Sequence, residues 1–188
     1  MRIISGSFRG KKILEPNDIK TRPLKDLTKE SIFNILNHSN KFQTNLNNSN
    51  ILDLFSGVGS FGIECLSRNA KFVVFVEFYS GVIPILKKNL LNLKSIENWE
   101  IIKKDIHKSN LFSKFDKKFN IVFVDPPYRD KNLEDILIKI KNEKILDKNG
   151  IIIIHRHKNE EDIIPKDFQI IEQKNYGISK IIFLSHLD

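Results

Sequence analysis

Three scarcities limit what this chain can be: cysteines, long apolar runs and arginines. A lone cysteine, Cys65, excludes an intramolecular disulfide and a multi-cysteine zinc site, and the histidines lack further plausible ligands, so we expect no metal. No apolar run approaches the roughly 20 residues that cross a bilayer, and residues 1–10 lack the apolar core of a secretory signal. We therefore expect a cytoplasmic protein without membrane contact, and 188 residues suffice for one domain.

Arginine is scarce, with six arginines against 25 lysines, yet three of the six lie in residues 1–29. This segment holds eight basic and three acidic side chains, so it carries +5 of the net charge of +8. Lysine, asparagine and isoleucine are abundant throughout, as an AT-rich coding sequence would produce, so the bulk charge alone says little about function. The local concentration favours contact with a phosphate backbone over a merely solvated charged face.

The N-terminal part of the chain reads as an appendage to the rest. Residues 1–14 predict a hairpin, and apolar side chains at helical spacing predict a helix over residues 24–37. The asparagine-rich stretch 37–50 has the composition of a connector. We therefore expect an appendage over residues 1–40 and a main domain over residues 41–188.

In the main domain, short apolar runs alternate with helical patterns. Strands are predicted over residues 51–54, 72–77, 99–103, 120–124 and 151–155, and a closing hairpin over 168–175 and 180–185. Helices are predicted over residues 60–68, 81–93, 106–113 and 133–142. Continuous apolar runs are typical of parallel strands buried on both faces, with helices as the crossovers. The pattern predicts an α/β fold with a doubly wound, mostly parallel sheet and an antiparallel edge.

A glycine-rich loop follows the first strand of this sheet, where residues 53–62 read Asp-Leu-Phe-Ser-Gly-Val-Gly-Ser-Phe-Gly. Glycines let the backbone turn sharply and approach a ligand, although a tight turn without a ligand has the same pattern. The loop also fits NAD, but the carboxylate of Asp53 would repel a pyrophosphate and suits the sulfonium and ammonium groups of S-adenosylmethionine. The expected cofactor-binding residues are Asp53, Phe55, Gly57, Gly59, Glu77 for the ribose hydroxyls and Asp105 for the adenine amine.

The sequence Asp125-Pro126-Pro127-Tyr128 directly follows the fourth strand. Consecutive prolines fix the backbone and remove two donors, so their carbonyls remain as acceptors. Asp125 and the Pro126 carbonyl could accept the two N–H bonds of an amine conjugated into an aromatic ring, and Tyr128 could stack on a base taken out of its helix. Pro-Pro alone is typical of a rigid turn, but its acidic and aromatic flanks favour in-line transfer to an amine.

Together these motifs resemble the RsmD-type family of bacterial 16S ribosomal RNA (guanine-N2)-methyltransferases over nearly the whole chain. Many amine methyltransferases share the glycine loop and the Pro-Pro loop, so the N-terminal motifs narrow the resemblance to this family. The matching segments are Arg2-Ile3-Ile4-Ser5-Gly6, Arg9-Gly10, Thr21-Arg22-Pro23, Phe33-Asn34, Leu52-Asp53-Leu54-Phe55-Ser56-Gly57, Ser67-Arg68-Asn69-Ala70, Val76-Glu77 and Asp125-Pro126-Pro127-Tyr128.

The resemblance implies a class I methyltransferase (Rossmann-like) fold with a seven-stranded sheet. It implies methyl transfer from S-adenosylmethionine, leaving S-adenosylhomocysteine, to a guanine N2 amine of 16S ribosomal RNA in a small-subunit assembly intermediate. We expect the enzyme to be a monomer. The implied catalytic residues are Asp125, Pro126 and Tyr128, and the expected RNA contacts are Arg2, Arg9, Lys11, Arg22, Lys29 and Arg129.

Two segments depart from the family pattern. Phe78-Tyr79 stand where polar residues are expected, and His155-Arg156-His157 stand where an acidic residue is expected. The second departure would either alter the target pocket or add RNA-facing charge.

Three other functions stay open. A DNA or protein amine methyltransferase could use the same loop, although the short loops here favour RNA over DNA. A dinucleotide-binding oxidoreductase would leave the Asp-Pro-Pro-Tyr sequence unexplained. A catalytically silent RNA-binding assembly factor is opposed by the intact Asp53, Asp125 and Tyr128.

Overall fold

In a computed structural model, which describes residues 1–16, 24–94, 96–108 and 110–187, seven strands form one sheet. The strands are β1 (Asn50–Leu54), β2 (Phe72–Glu77), β3 (Trp99–Lys103), β4 (Phe119–Val124), β5 (Leu146–His157), β6 (Phe168–Tyr176) and β7 (Ser179–His186). Their order is β3-β2-β1-β4-β5-β7-β6. Strands β1 to β5 pair in parallel, and β7 runs antiparallel to both β5 and β6. The predicted mostly parallel sheet with an antiparallel edge is confirmed.

Helices connect the strands and cover both faces of the sheet. They are α1 (Asp26–His38), α2 (Ser60–Ser67), α3 (Ile83–Leu91) and α4 (Leu133–Asn142). The helix predicted over residues 106–113 is wrong, since its described residues contain only a turn and the start of a 3₁₀ turn, Phe112–Lys114. Asp105 Oδ1 accepts a hydrogen bond from His107 N at 3.0 Å, a side-chain turn that competes with helix formation. No helix among the described residues is long and apolar enough to span a bilayer.

A stack of three phenylalanine rings joins two helices to the sheet. The ring centroid of Phe61 on α2 lies 5.3 Å from that of Phe33 on α1 and 4.1 Å from that of Phe123 on β4. The apolar side chains of Ile3 and Ile13 belong to the same buried cluster. The N-terminal residues therefore share one buried core with the helices and the sheet, and the boundary at residue 40 stays a prediction.

The N-terminal residues form the predicted hairpin in reduced form, with one antiparallel bridge between Arg2 and Lys12. The hairpin is held against α2 by Glu64, whose side chain is fully buried. Its carboxylate accepts hydrogen bonds from Ile4 N at 2.8 Å and Ser5 N at 2.9 Å. Since α2 begins at the glycine loop, the hairpin is fixed to the helix that leaves that loop.

Lys29 completes this buried network and is not available to RNA. Its Nζ lies 3.6 Å from Glu64 Oε2 and donates to the Arg2 carbonyl at 2.7 Å, and its side chain has no exposed surface. Burial lowers the pKa of Lys29, and the nearby carboxylates of Glu64 and Asp26 oppose that effect. The expectation that Lys29 contacts RNA is wrong, because Lys29 lies in the first turn of α1 with its side chain buried against Glu64.

Candidate active site

The carboxyl ends of β1, β2, β4 and β5 border one cavity. It is lined by predicted cofactor-binding residues (Asp53, Phe55, Gly57 and Glu77) and by all three predicted catalytic residues (Asp125, Pro126 and Tyr128). The parallel strands therefore bring two sequence motifs about 70 residues apart to a common opening, as expected at this edge of an open α/β sheet. Two predicted cofactor residues, Gly59 and Asp105, are not among the described residues that line it.

Backbone N–H groups of the glycine loop hold two carboxylates in place, one from the loop itself and one from the end of β2. Asp53 Oδ2 accepts from Gly62 N at 3.0 Å, and Glu77 Oε2 accepts from Gly57 N at 2.8 Å. Phe55 adopts the left-handed region with φ 59°, a strained conformation for a large side chain of the kind that clusters at binding sites. The loop is thus a rigid, locally strained turn whose side chains border the cavity.

Gly59 serves packing in this structure. Its φ is +85°, and a Cβ there would lie 2.5 Å from Leu86 Cδ1 on α3. L side chains rarely adopt this positive φ, so the turn into α2 favours glycine here. Its predicted contact with a cofactor stays a prediction, as does that of Asp105.

The cavity concentrates negative charge. Burial raises the pKa of Asp53 well above its ordinary value of 3.8; the Gly62 hydrogen bond opposes this, and the charges of Asp125 and Glu77 raise it further. Three carboxylates that repel one another favour a cationic ligand, which would relieve the repulsion.

One buried hydroxyl in the cavity also lacks a partner. Ser60, at the start of α2, is 4% exposed and lines the cavity. Its Oγ makes no hydrogen bond to any of the described residues. Buried polar atoms are rarely left unsatisfied in native proteins, so this atom points to a polar ligand in the cavity.

The loop after β4 is braced from β5. Asp125 Oδ1 lies 2.8 Å from Nδ1 of His155, which is 6% exposed. Arg156 is fully buried, and its guanidinium donates to the Pro127 carbonyl at 3.3 Å and the Asp130 carbonyl at 2.8 Å. The interpretation of this segment as RNA-facing charge is therefore wrong for residues 155 and 156.

Several residues that line the cavity were not predicted as site residues, among them Leu24, Ser60 and Tyr79, and for the segment with His155 the sequence left a role in the target pocket open. The position of His155 carried a usable signal, because it follows a buried apolar run at the carboxyl end of a parallel strand, as Asp125 does. Ser60 and Tyr79 each lie within two residues of a predicted site residue. Leu24 had no such signal, since it reaches the cavity only through the packing of the N-terminal residues.

Solved structures share this architecture. The yhhF protein of Escherichia coli superposes with a TM-score of 0.82 at 28% identity, covering 99% of this chain and 97% of that one. The fold and the site together define a class I methyltransferase.

The family model described as Conserved hypothetical protein 95 matches residues 1–185. The chain therefore belongs to this family, which confirms the resemblance found in the sequence. The ribosomal RNA small subunit methyltransferase D of Haemophilus influenzae is 34% identical over 179 residues, covering 95% of this chain and 90% of that protein. The protein of the same name from Escherichia coli K12 is 31% identical over 181 residues, covering 94% and 85%.

Proposed function

We propose that this methyltransferase transfers a methyl group from S-adenosylmethionine to the exocyclic N2 amine of a guanine in 16S ribosomal RNA. The observation that carries the proposal is one cavity that the glycine loop with Asp53, Glu77 at the end of β2 and the Asp-Pro-Pro-Tyr loop all border. The relatives that match nearly the whole chain are ribosomal RNA small subunit methyltransferases by name. Both lines of support point to the same reaction.

The cavity suits S-adenosylmethionine, which supplies an electrophilic methyl group next to a positive charge. The carboxylate of Asp53 compensates that positive charge, and the Ser60 hydroxyl is available to a polar group of the cofactor. Glu77 accepts three backbone hydrogen bonds, from Gly57, Phe78 and Tyr79. A carboxylate has about four acceptor sites, so Glu77 keeps capacity for a ribose hydroxyl.

At the acceptor side, Asp125 and the Pro126 carbonyl accept hydrogen bonds from the two N–H groups of the guanine amine, and Tyr128 stacks on the base. As the N–C bond forms and the S–C bond breaks, the amine nitrogen becomes positive. The Asp125 carboxylate stabilises that charge and is positioned to take the proton that the nitrogen then loses. Alignment of the two reactants supplies much of the remaining acceleration.

Cofactor affinity should rise with pH because of Asp53. Burial raises the pKa of Asp53 in the free protein, whereas a bound cation favours its ionised form and lowers that pKa, so binding releases a proton. Affinity should therefore increase up to about tenfold per pH unit between the lower pKa of Asp53 in the complex and its raised pKa in the free protein, and level off above the latter.

Calorimetric titration in buffers of different ionisation enthalpy would measure the released proton. S-adenosylhomocysteine, which lacks the sulfonium charge, should release less of it, and Asp53→Asn should remove the dependence. Equal affinity across this window in the unmodified protein would contradict a cation held by Asp53.

We propose that RNA is contacted by the basic residues around the hairpin and by the catalytic loop. Arg2, Arg9, Lys11 and Arg129 are all exposed, whereas Arg22 lies outside the described residues. Replacing Arg9 with alanine should weaken RNA binding and reduce the slope of log K against log salt by about one if its contact is to a phosphate. Lys148→Ala is the matched control, because Lys148 lies near the start of β5, at the end of the strand away from the cavity. It should leave RNA affinity and the salt slope unchanged.

The reaction itself is tested by transfer of labelled methyl groups to small-subunit particles and to naked 16S RNA, followed by nucleoside analysis. We expect N2-methylguanosine, and we expect faster transfer to protein-bearing particles because the appendage is small. Equal rates on both substrates would contradict the particle as substrate. Label found only in DNA or protein would overturn the RNA assignment.

A further inference from the structure

His155 takes no part in the proposed methyl transfer, although it contacts Asp125, a proposed catalytic residue. From β5 its imidazole reaches two partners: Nδ1 lies 2.8 Å from Asp125 Oδ1, and Nε2 lies 2.9 Å from Oγ of Ser179 on β7. Both His155 and Ser179 are buried. A chain of three polar side chains therefore runs from the cavity into the sheet.

The chemistry of the three groups assigns each hydrogen. An ionised carboxylate can only accept, so the hydrogen between His155 and Asp125 must be carried by Nδ1. In the neutral ring Nε2 is then an acceptor, and the Ser179 hydroxyl can donate to it. In the neutral ring this tautomer satisfies all three groups: the carboxylate of Asp125 selects it, and the Ser179 hydroxyl, which can donate or accept, accommodates it.

We propose that His155 is a positioning residue that fixes the carboxylate of Asp125 for the acceptor amine. The proposal rests on the proposed function. The bond from Nδ1 engages Oδ1 and sets the rotation of the carboxylate, while Oδ2 accepts no hydrogen bond from the described residues and is left for the amine. The His155 ring also meets Tyr128 edge to face, with 6.1 Å between centroids, so one side chain braces both the acceptor of the amine and the stacking ring.

The proposed role explains why histidine stands at position 155, where the family pattern has an acidic residue. An acidic side chain beside Asp125 would donate to it only when protonated, and would otherwise repel it. Histidine supplies a donor without that condition, and Ser179 supports it from the neighbouring strand through the β5–β7 pairing, in which Ser179 lies opposite His157. Asp125, His155 and Ser179 thus form one functional set in this chain.

Three substitutions of His155 test the proposal on small-subunit particles. His155→Ala should lower kcat roughly tenfold or more, the loss expected for a hydrogen bond to a charged group, while KM for the particles and Kd for S-adenosylmethionine stay within about twofold. His155→Asn places an amide N–H near the Nδ1 position and should recover most of kcat. His155→Gln places its amide near Nε2 and should not. Unchanged kcat in His155→Ala, or equal recovery by Asn and Gln, would overturn the proposal.

Two further measurements cover the case in which His155 variants fold poorly. Ser179→Ala removes only a hydroxyl and should lower kcat about threefold, the effect of one neutral hydrogen bond, with intact cofactor binding. Nitrogen-15 NMR of the unmodified protein should show His155 with its hydrogen on Nδ1, and the opposite tautomer would refute the assignment. An inactive unmodified protein would defeat the proposed function as a whole. If the unmodified protein is active, Asp125→Ala is inactive and His155→Ala keeps full kcat, only the proposed role of His155 is overturned.

Discussion

Replacing Asp125 with alanine should reduce methyl transfer by about 10²–10³-fold, the cost typical of losing one group that stabilises transition-state charge. The substitution removes the carboxylate nearest the reacting nitrogen. It should leave cofactor binding largely intact, because the loss of one negative charge near the cation is offset by a lower pKa of Asp53, whose carboxylate remains. Single-turnover transfer and equilibrium cofactor titration on the same preparation would separate the two effects.

Asp116→Asn is the matched control, since Asp116 is exposed and precedes β4 at the end of the strand opposite Asp125. It should keep full activity. Asp125→Asn preserves the size of the side chain and an acceptor oxygen, so its activity reports how much of the effect comes from charge. Full activity in Asp125→Ala would refute the proposed reaction geometry.

The second large effect is expected at Arg156, and it should be a loss of stability. The guanidinium is fully buried, donates to two loop carbonyls and pairs with Asp162 at 2.9 Å. Arg156→Met would leave the carbonyls without their donor and Asp162 with only the longer contact to Lys180 Nζ, at 3.9 Å, and breaking a buried ion pair costs about 3–5 kcal/mol. For a domain of this size the unfolding temperature should fall on the order of 10 °C.

Thermal or denaturant unfolding measures this change directly. Arg9→Ala, which removes an exposed arginine, is the control and should change stability by less than about 1 kcal/mol. The double variant Arg156→Met with Asp162→Asn should be less destabilised than the sum of the single variants, because each single change already breaks the pair. Additive losses would show that the pair with Asp162 contributes nothing to the effect of Arg156.

Much of the fold could be predicted because its elements have strong local patterns. The apolar run of β2 and the amphipathic pattern of α4 predicted their bounds as observed, since buried strands and surface helices impose distinct periods. The bounds of β3 were also predicted, although none of its residues is fully buried. The prediction of a helix over residues 106–113 was wrong because apolar spacing contains no information on two contacts that oppose it. The Asp105 side chain accepts from His107 N, and Lys139 Nζ of α4 donates to the His107 carbonyl.

The same distinction between local patterns and tertiary contacts applies to the residues of the site. Residues at strand ends, such as Asp53 and Asp125, were predictable because topology alone brings them together. The pairings of Lys29 with Glu64 and of His155 with Ser179 join residues distant in the sequence, and only tertiary packing decides them. Glu64 did carry a weak signal, as a lone charge in the apolar run Phe61-Gly62-Ile63-Glu64-Cys65-Leu66.

Strand β7 lies between β5 and β6, although it is the last of the three along the chain. During synthesis, β5 and β6 leave the ribosome while the strand that joins them is still in the exit tunnel. Until it emerges, β5 presents an open edge and β6 has no partner, the kind of exposed pairing surface on which nascent chains aggregate. Because Ser179 arrives with β7, the support of Asp125 is assembled at the same late moment, and a polypeptide released before β7 would have both sequence motifs without an assembled active site.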